Sequence, residues 1–296
     1  MLIYVYISQL TTNVECFTLV FYHFEDSEEY TFPQFAYKNT LLRNLVLSSC
    51  QLNPFGTVNW SNLISLSLED VKLTHGSMKK ILTGCPNLEC LELKTFYGIN
   101  LTIEDYRDNK NGPWLEIFAP HIQKLQLLGY CGERRIRQRN VASLVTIVIK
   151  AVFRLYIDHD DEEYNLEDFY NEEQQNLEKE CRYLKELLHG VAHVENLELG
   201  TGCIQDLVAR FVDEDEQSRR FETHNFDCSL RHLKTINIIY FHGAPSENKY
   251  ILPLKKYLLK IVTVLEKVTI DFVKMKQEFL SFPRSSPHVS VVFSHV

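Results

Sequence analysis

His189 and His193 stand four residues apart, the spacing that lets two imidazoles on one side of a helix share a zinc ion. The general-base Glu of such a helix is replaced by Gly190, and a glycine there ends the helix that would align the rings. The pair therefore reads as a helix-to-strand turn, and no metal is expected. Gly200-Thr201-Gly202 imitates the opening of a dinucleotide-binding turn, but Gln205 stands where the third glycine is needed, so a repeat turn is the reading. Asp158, Asp160 and Glu162 alternate as calcium ligands do. Glu163 and Phe169 occupy the places that require Gly and the closing Glu, which excludes an EF-hand. A nucleophile elbow, a phosphate-binding loop and a motif-placed Cys–His pair are all missing from the sequence. No enzymatic activity and no cofactor are expected.

Charge is unevenly distributed. Residues 158–180 carry 11 carboxylates against one Lys, a net of -10 out of the chain's -8, which leaves +2 for everything else. The stretch reads as a solvated insertion or as an electrostatic docking segment for a basic partner, with Tyr164, Phe169 and Tyr170 as anchors. Its counterweight is Arg134, Arg135, Arg137 and Arg139, which either bind an anionic ligand or form an exposed loop between repeats. The basic stripe that a nucleic-acid-binding protein needs is missing. The longest apolar stretch, 144–157, is broken by Lys150 and Arg154 and falls short of the roughly 18 residues of a membrane span. Residues 1–7 lack a basic flank and a cleavage site and read as a strand. The eight Cys form no C-x-x-C pair, so reduced thiols in the cytoplasm or nucleus are expected. The sequons at Asn59 and Asn100 are no more than chance provides.

The elements that carry these residues follow from a repeat. Leu42-x-x-Leu45-x-Leu47-x-x-Cys50-x-Leu52 is followed by Leu63-x-x-Leu66-x-Leu68-x-x-Val71-x-Leu73 and by Leu88-x-x-Leu91-x-Leu93. A chain with 39 Leu should yield ~0.7 such strict matches by chance, so three within 52 residues mark leucine-rich repeats. Allowing Ile and Val adds 122–127, 144–149, 194–199, 233–238 and 265–270, a relaxed pattern that chance alone produces about five or six times. Helix-like segments at 77–82, stopped by Gly84 and Pro86, and at 181–189, stopped by Gly190, precede two of them.

Strand side chains alternate with period 2, so the two Leu of each L-x-L point into the core and the residues between them point outward. The expected architecture is α/β: a leucine-rich-repeat solenoid (horseshoe) of about eight or nine repeats, with a parallel concave sheet and irregular helices on the convex side. Its partner-binding face should then present Asn44, Val46, Ser65, Ser67, Glu69, Glu92, Lys94, Lys124, Gln126, Glu198, Asn237 and Thr269, and Ser48 beside them.

The run Asn59-Trp60-Ser61-Asn62-Leu63, and above all Gly84-Cys85-Pro86-Asn87-Leu88-Glu89-Cys90-Leu91-Glu92-Leu93, resembles the leucine-rich region of plant F-box proteins. Residues 228–296 resemble the FBD module that ends many of them, through Leu233-Lys234-Thr235-Ile236, Gly243, Glu247, Lys256 to Lys260, Val264 to Val268 and Leu280-Ser281-Phe282-Pro283-Arg284. The resemblance implies a leucine-rich-repeat region at 1–227 and an FBD-like module at 228–296. It also implies the substrate-recognition part of a cullin-type ubiquitin ligase subunit, with a protein as its partner. The helical F-box that should precede the repeats has no counterpart here, so binding of a Skp-type adaptor by this chain alone is not expected. A truncated copy without function, or a repeat receptor for an anionic small molecule, are the alternatives. Pro253 falls in the module's amphipathic helix, which should therefore start or kink there.

Overall fold

The three strict repeats become strands where the leucine pattern marks them, because each L-x-L is extended and buries both Leu. The computed structural model describes residues 14–20, 30–97, 114–130, 135–152, 187, 189–200, 232–239, 264–270 and 290–293. Two compact units, Met1–Leu144 and Val145–Val296, make up the chain.

In the first unit the parallel sheet runs β1 (Cys16–Val20), β2 (Asn44–Ser48), β4 (Ser65–Leu73), β5 (Cys90–Tyr97) and β7 (Lys124–Tyr130), with the short β3 (Gln51–Leu52) beside the end of β4. The register stacks like on like: Phe17, Leu45, Leu66, Leu91 and Leu125 form one buried row, and Leu19, Leu47, Leu68, Leu93 and Leu127 the next. Each such side chain removed from water contributes about 1.5–3 kcal/mol. The second unit repeats the arrangement with β9 (Thr146–Val152), β10 (Asn196–Gly200), β11 (Thr235–Ile239), β12 (Lys267–Ile270) and β13 (Ser290–Phe293), all parallel. Its inward rows are Ile147, Leu197, Ile236 and Val268, then Ile149, Leu199 and Ile238. All five relaxed matches to the leucine pattern are therefore strands.

A turn recurs ahead of the strands: Leu63, Leu88, Ile122, Leu144 and Val194 each donate their backbone N–H to the carbonyl three residues back. The residues that accept, Trp60, Cys85, Ala119, Val141 and Val191, are all buried. The Asn of each Asn-Leu pair explains its presence, since the Asn62 side chain donates to the Thr40 carbonyl (2.8 Å) and Asn87 to that of Ser61 (2.8 Å). Each amide ties one repeat to the turn of the repeat before it.

After the outward stretch of each strand the backbone enters the left-handed region at one shared register: Ser49 (φ 54), Asp70 (φ 51), Thr95 (φ 44) and Gly129 (φ 68). The strands kink together there, and β4 and β5 resume pairing beyond it at Val71 and Phe96. Asp70 is stabilised in this conformation by the Ser49 hydroxyl, which donates to its carboxylate at 3.0 Å.

The connections behind the sheet differ from one another. A 3-10 turn, Gln34–Lys38, precedes β2, and α1 (His75–Thr83) follows β4, two residues longer at its start than the apolar spacing predicts. Thr74 is the reason: its hydroxyl oxygen accepts from the Ser77 N–H at 3.0 Å and caps the helix. Residues Leu187, His189 and Gly190 are helical and Val191 to His193 form a turn, as expected for the helix-to-strand passage. The expected irregular helices share this layer with two connections that carry strands. The pair β6 (Trp114–Phe118) and β8 (Arg135–Arg139) forms a separate parallel two-stranded sheet, and α1 packs against β6. Alternation within these segments explains it, since Leu115, Ile117 and Ile136 are the buried positions.

Outside the described residues lie 1–7, the acidic stretch 158–180, Thr201 and Gly202, most of 181–189, the helix start at Pro253, and the boundary between 227 and 228. The described part of 228–296 supplies β11, β12 and β13, which continue the ladder of β10 in register.

Candidate functional site

The outward positions of the strands line up in rows, because parallel pairing in register repeats the period-2 alternation from strand to strand. In the first unit one row is Cys16, Asn44, Ser65, Cys90 and Lys124. The next is Thr18, Val46, Ser67, Glu92 and Gln126, and the third is Val20, Ser48, Glu69, Lys94 and Leu128. In the second unit the rows are Thr146, Asn196, Thr235, Lys267 and Ser290, then Val148, Glu198, Asn237, Thr269 and Val292.

The structure thus brings nine of the proposed face residues, Asn44, Val46, Ser65, Ser67, Glu69, Glu92, Lys94, Lys124 and Gln126, onto one face of one sheet. Glu198, Asn237 and Thr269 share a row in the second unit. Asn44 and Lys124 are exposed; the other ten are half-buried by their neighbours. Ser48 departs from expectation: it is buried, with its hydroxyl 3.4 Å from that of Ser49.

Lateral pairing orders the face. The Glu92 carboxylate accepts from Ser67 on one side (3.0 Å) and from the Gln126 amide on the other (2.7 Å). Lys94 pairs with Glu69 across β4 and β5, and Lys150 with Glu198 across β9 and β10 at 2.6 Å. Asn44 donates to the Cys16 sulfur at 3.2 Å, and Asn196 to the Thr146 hydroxyl at 3.3 Å. Such partly exposed pairs contribute on the order of 1 kcal/mol each to stability. Their effect is to hold long side chains in fixed positions, a preorganised surface that loses little entropy when a partner docks.

Cys16, Thr18 and Val20 of β1 and Thr146 and Val148 of β9 belong to these rows but were not among the proposed residues. For β1 the available signal was Val14-x-x-Phe17-x-Leu19, the repeat spacing with Phe in one Leu place. Arg135, Arg137 and Arg139 fall on alternate positions of β8, a paired strand and not the inter-repeat loop expected; Arg134 lies outside the described residues. His189 is exposed and His193 half-buried at the turn. Among the described residues no group of three or more His, Cys, Asp or Glu could hold a metal ion.

The cysteines differ in environment. Burial pushes the Cys50 and Cys85 thiols up to about 12, with the Asp70 charge adding to the shift at Cys50. Burial also raises Cys90, against the opposing Lys124 charge and a hydrogen bond with Ser65. Alkylation at pH 8 should therefore label exposed Cys16 first and Cys50 and Cys85 only after unfolding, as read by peptide mass spectrometry. Rapid labelling of Cys85 in the folded chain would contradict this burial. The folded thiols have raised pKa values, so their stabilising effect is complete below pH 9 and is lost as pH rises toward about 12. The urea midpoint should fall across that window and not below it.

Residues 8–107, which hold β1 to β5, match the family model described as the LRR repeats of the FBD-associated F-box protein At5g56370. The chain is 26% identical over 264 residues to the F-box/LRR-repeat protein At3g03360 of Arabidopsis thaliana, covering 82% of this chain and 52% of that one. It is 39% identical over 133 residues to F-box/LRR-repeat protein 25 of the same plant, covering 40% of this chain and 50% of that one. The chain thus spans about half the length of these two relatives. No helix among the described residues is long and apolar enough to cross a membrane. Repeat spacing, strand ladder and matched residues agree: the repeat region of this chain is similar to the leucine-rich repeats of the plant F-box/LRR-repeat proteins.

Proposed function

We propose that this chain is the substrate-recognition part of an F-box-type subunit of a cullin ubiquitin ligase, and that it holds a protein partner on the outward face of its strands. The observation that carries the reading is the set of polar rows ordered by lateral pairing, centred on Glu92 between Ser67 and Gln126. Paired and half-buried, these groups offer fixed donors and acceptors over several strands, which suits a protein surface better than a small substrate. The reading assigns no reaction to the chain and places its work in the cytoplasm or nucleus. The described residues from β1 to β3 are strands and a 3-10 turn, so adaptor binding is not assigned to them. A pull-down with a Skp-type adaptor checks that part, and robust capture by these 296 residues would overturn it.

For the face itself, Glu92→Lys, Lys94→Glu and Glu198→Lys are combined, and a partner captured by cross-linking is titrated against the variant. Binding should weaken by more than about tenfold, because reversed charges meet the partner's complementary groups. The urea midpoint should fall only modestly, since these partly exposed pairs contribute on the order of 1 kcal/mol each, and binding is compared at a urea-free condition where both proteins are folded. Unchanged affinity would show that the face is misassigned.

The three arginine positions on one strand favour a second reading, in which β8 holds an anionic small molecule. A thermal-shift screen with inositol phosphates separates the two. A salt-sensitive stabilisation that disappears in Arg135→Ala with Arg137→Ala would favour the ligand.

A further inference from the structure

Away from the strand face, the turn at 53–57 of the first unit carries Phe55, which is 77% exposed. A large aromatic ring in water is usually tolerated on a loosely held loop, but this turn is clamped from three directions. The Gln34 side chain donates to the Asn53 carbonyl (2.8 Å) and accepts from the Phe55 N–H (2.9 Å). The Lys80 ammonium donates to the Pro54 carbonyl (2.8 Å), and the Lys38 ammonium to the Thr57 carbonyl (2.6 Å) and hydroxyl (2.7 Å). Two fixed positive charges therefore bracket the exposed ring, one bonded just before it and one just after. Phe35, on the turn that Gln34 belongs to, is 48% exposed.

Lys38 and Lys80 bond to carbonyl and hydroxyl oxygens, while Glu116, on the strand packed against α1, lies 4.0 Å from His75. Positions 30–68 contain neither Asp nor Glu, and α1 adds Lys79 and Lys80 without a carboxylate. The next carboxylates, Glu69 and Asp70, are occupied by Lys94 and Ser49.

We propose that Phe55 and Phe35, with the ammonium groups of Lys38 and Lys80, form a second docking surface that takes a short acidic peptide segment of a partner protein with an apolar side chain between its carboxylates. Charge complementarity selects the acidic partner. Lys80 spends one of its three donors on a carbonyl and Lys38 two on Thr57, so each held ammonium keeps at least one donor for a carboxylate. The rings supply rigid apolar area at little entropic cost, as aromatic anchors of interfaces do. A bilayer is the less suited occupant, since it rewards several mobile cations and a deeper apolar wedge than one fully presented ring. This surface is independent of the strand face and does not require its assignment.

The test is selection of random displayed dodecapeptides on the intact chain, followed by fluorescence anisotropy with the selected peptides. Enriched peptides should combine Asp or Glu with a Leu, Phe, Tyr or Trp and bind more weakly as salt rises. Affinity should fall by at least about tenfold in Phe55→Asp, and likewise in Lys38→Gln with Lys80→Gln, whose amides keep a donor and lose the charge. Glu92→Lys on the strand face should leave it unchanged. Urea melts of these variants should match the parent, because the altered groups are exposed. Selection without acidic enrichment, or binding indifferent to Phe55→Asp, overturns the proposal. So does co-sedimentation with phosphatidylserine-containing vesicles that requires Phe55 in the absence of any selected peptide. If peptides bind only after Glu25, Asp26, Glu28 and Glu29 are all changed to Gln, the surface is covered by the chain itself and an external partner is excluded.

Discussion

Trp60→Ala is expected to lower the unfolding free energy of the first unit by about 3–5 kcal/mol, the range for deleting a fully buried aromatic side chain. Trp60 is wholly enclosed. Its ring stacks on Tyr37 with centroids 5.5 Å apart, meets Phe32 edge-on at 6.3 Å, and Phe32 and Tyr37 meet each other edge-on at 5.2 Å. These three rings join the 3-10 turn to the turn ahead of β4, and the indole N–H donates to the Ala36 carbonyl at 2.9 Å. Backbone bonds continue the link, with Asn59 N–H on the Tyr37 carbonyl (2.7 Å) and Trp60 N–H on that of Gly84 (2.9 Å). The residue thus holds together three successive connections behind the sheet. Trp60→Phe isolates the polar part of the effect: most apolar area stays, the Ala36 carbonyl keeps only the longer bond from the Asn39 N–H (3.4 Å), and about 0.5–1.5 kcal/mol should be lost. Urea denaturation, with amide exchange in β2 and β4 to localise the loss, distinguishes the two. A cost below about 1 kcal/mol for Trp60→Ala would mean that the cluster is not the anchor of this layer.

How much of this was legible in the sequence depends on which residues fill the inward places. β2, β4 and β5 were marked because Leu fills all of them, and β7 and β9 to β12 because Ile and Val substitute without changing the spacing. β1 escaped because Phe17 replaces an aliphatic residue. β13 escaped because His288 stands at the distance before it that Leu265 keeps before β12, so the first apolar place is polar. β6 and β8 have ordinary strand alternation with no period tied to the repeat, and nothing local says that two segments 21 residues apart will pair with each other in place of helices.

The outward face could be read as a set of residues from period 2 alone. Its internal order could not. Ser67 meets Glu92 from 25 residues away and Gln126 from 34. Those separations follow from the lengths of the individual connections, which the leucine pattern leaves open. The clamp around Phe55 is less legible still, since Lys38 and Lys80 reach their carbonyls across two different connections.

Gly84→Ala should be the costly glycine substitution and Gly56→Ala the harmless one. Backbone angle is not the reason, because Gly84 closes α1 at φ -82, where any residue fits. Space is the reason: a Cβ there would lie 2.6 Å from both the Cβ and the carbonyl oxygen of Val58 and 2.7 Å from its carbonyl carbon. Two of these atoms are backbone, so no rotamer change relieves the clash. The Trp60–Gly84 bond holds the two segments together at this point. Relief requires α1 to move away from the preceding turn, which withdraws Met78, Ile81 and Leu82 from the core that buries them. Overpacking of this kind costs about 1–3 kcal/mol, and the backbone clash places Gly84→Ala at the upper end. A Cβ on Gly56, in the exposed turn next to Phe55, meets nothing within 4 Å. Restricting the unfolded chain there should leave stability unchanged or raise it by about 0.4–1 kcal/mol. In parallel urea titrations the Gly84→Ala midpoint should therefore fall below the parent's, and the Gly56→Ala midpoint should match or exceed it. Equal midpoints would mean that α1 is not seated against Val58, and the stacking of successive connections would have to be redrawn.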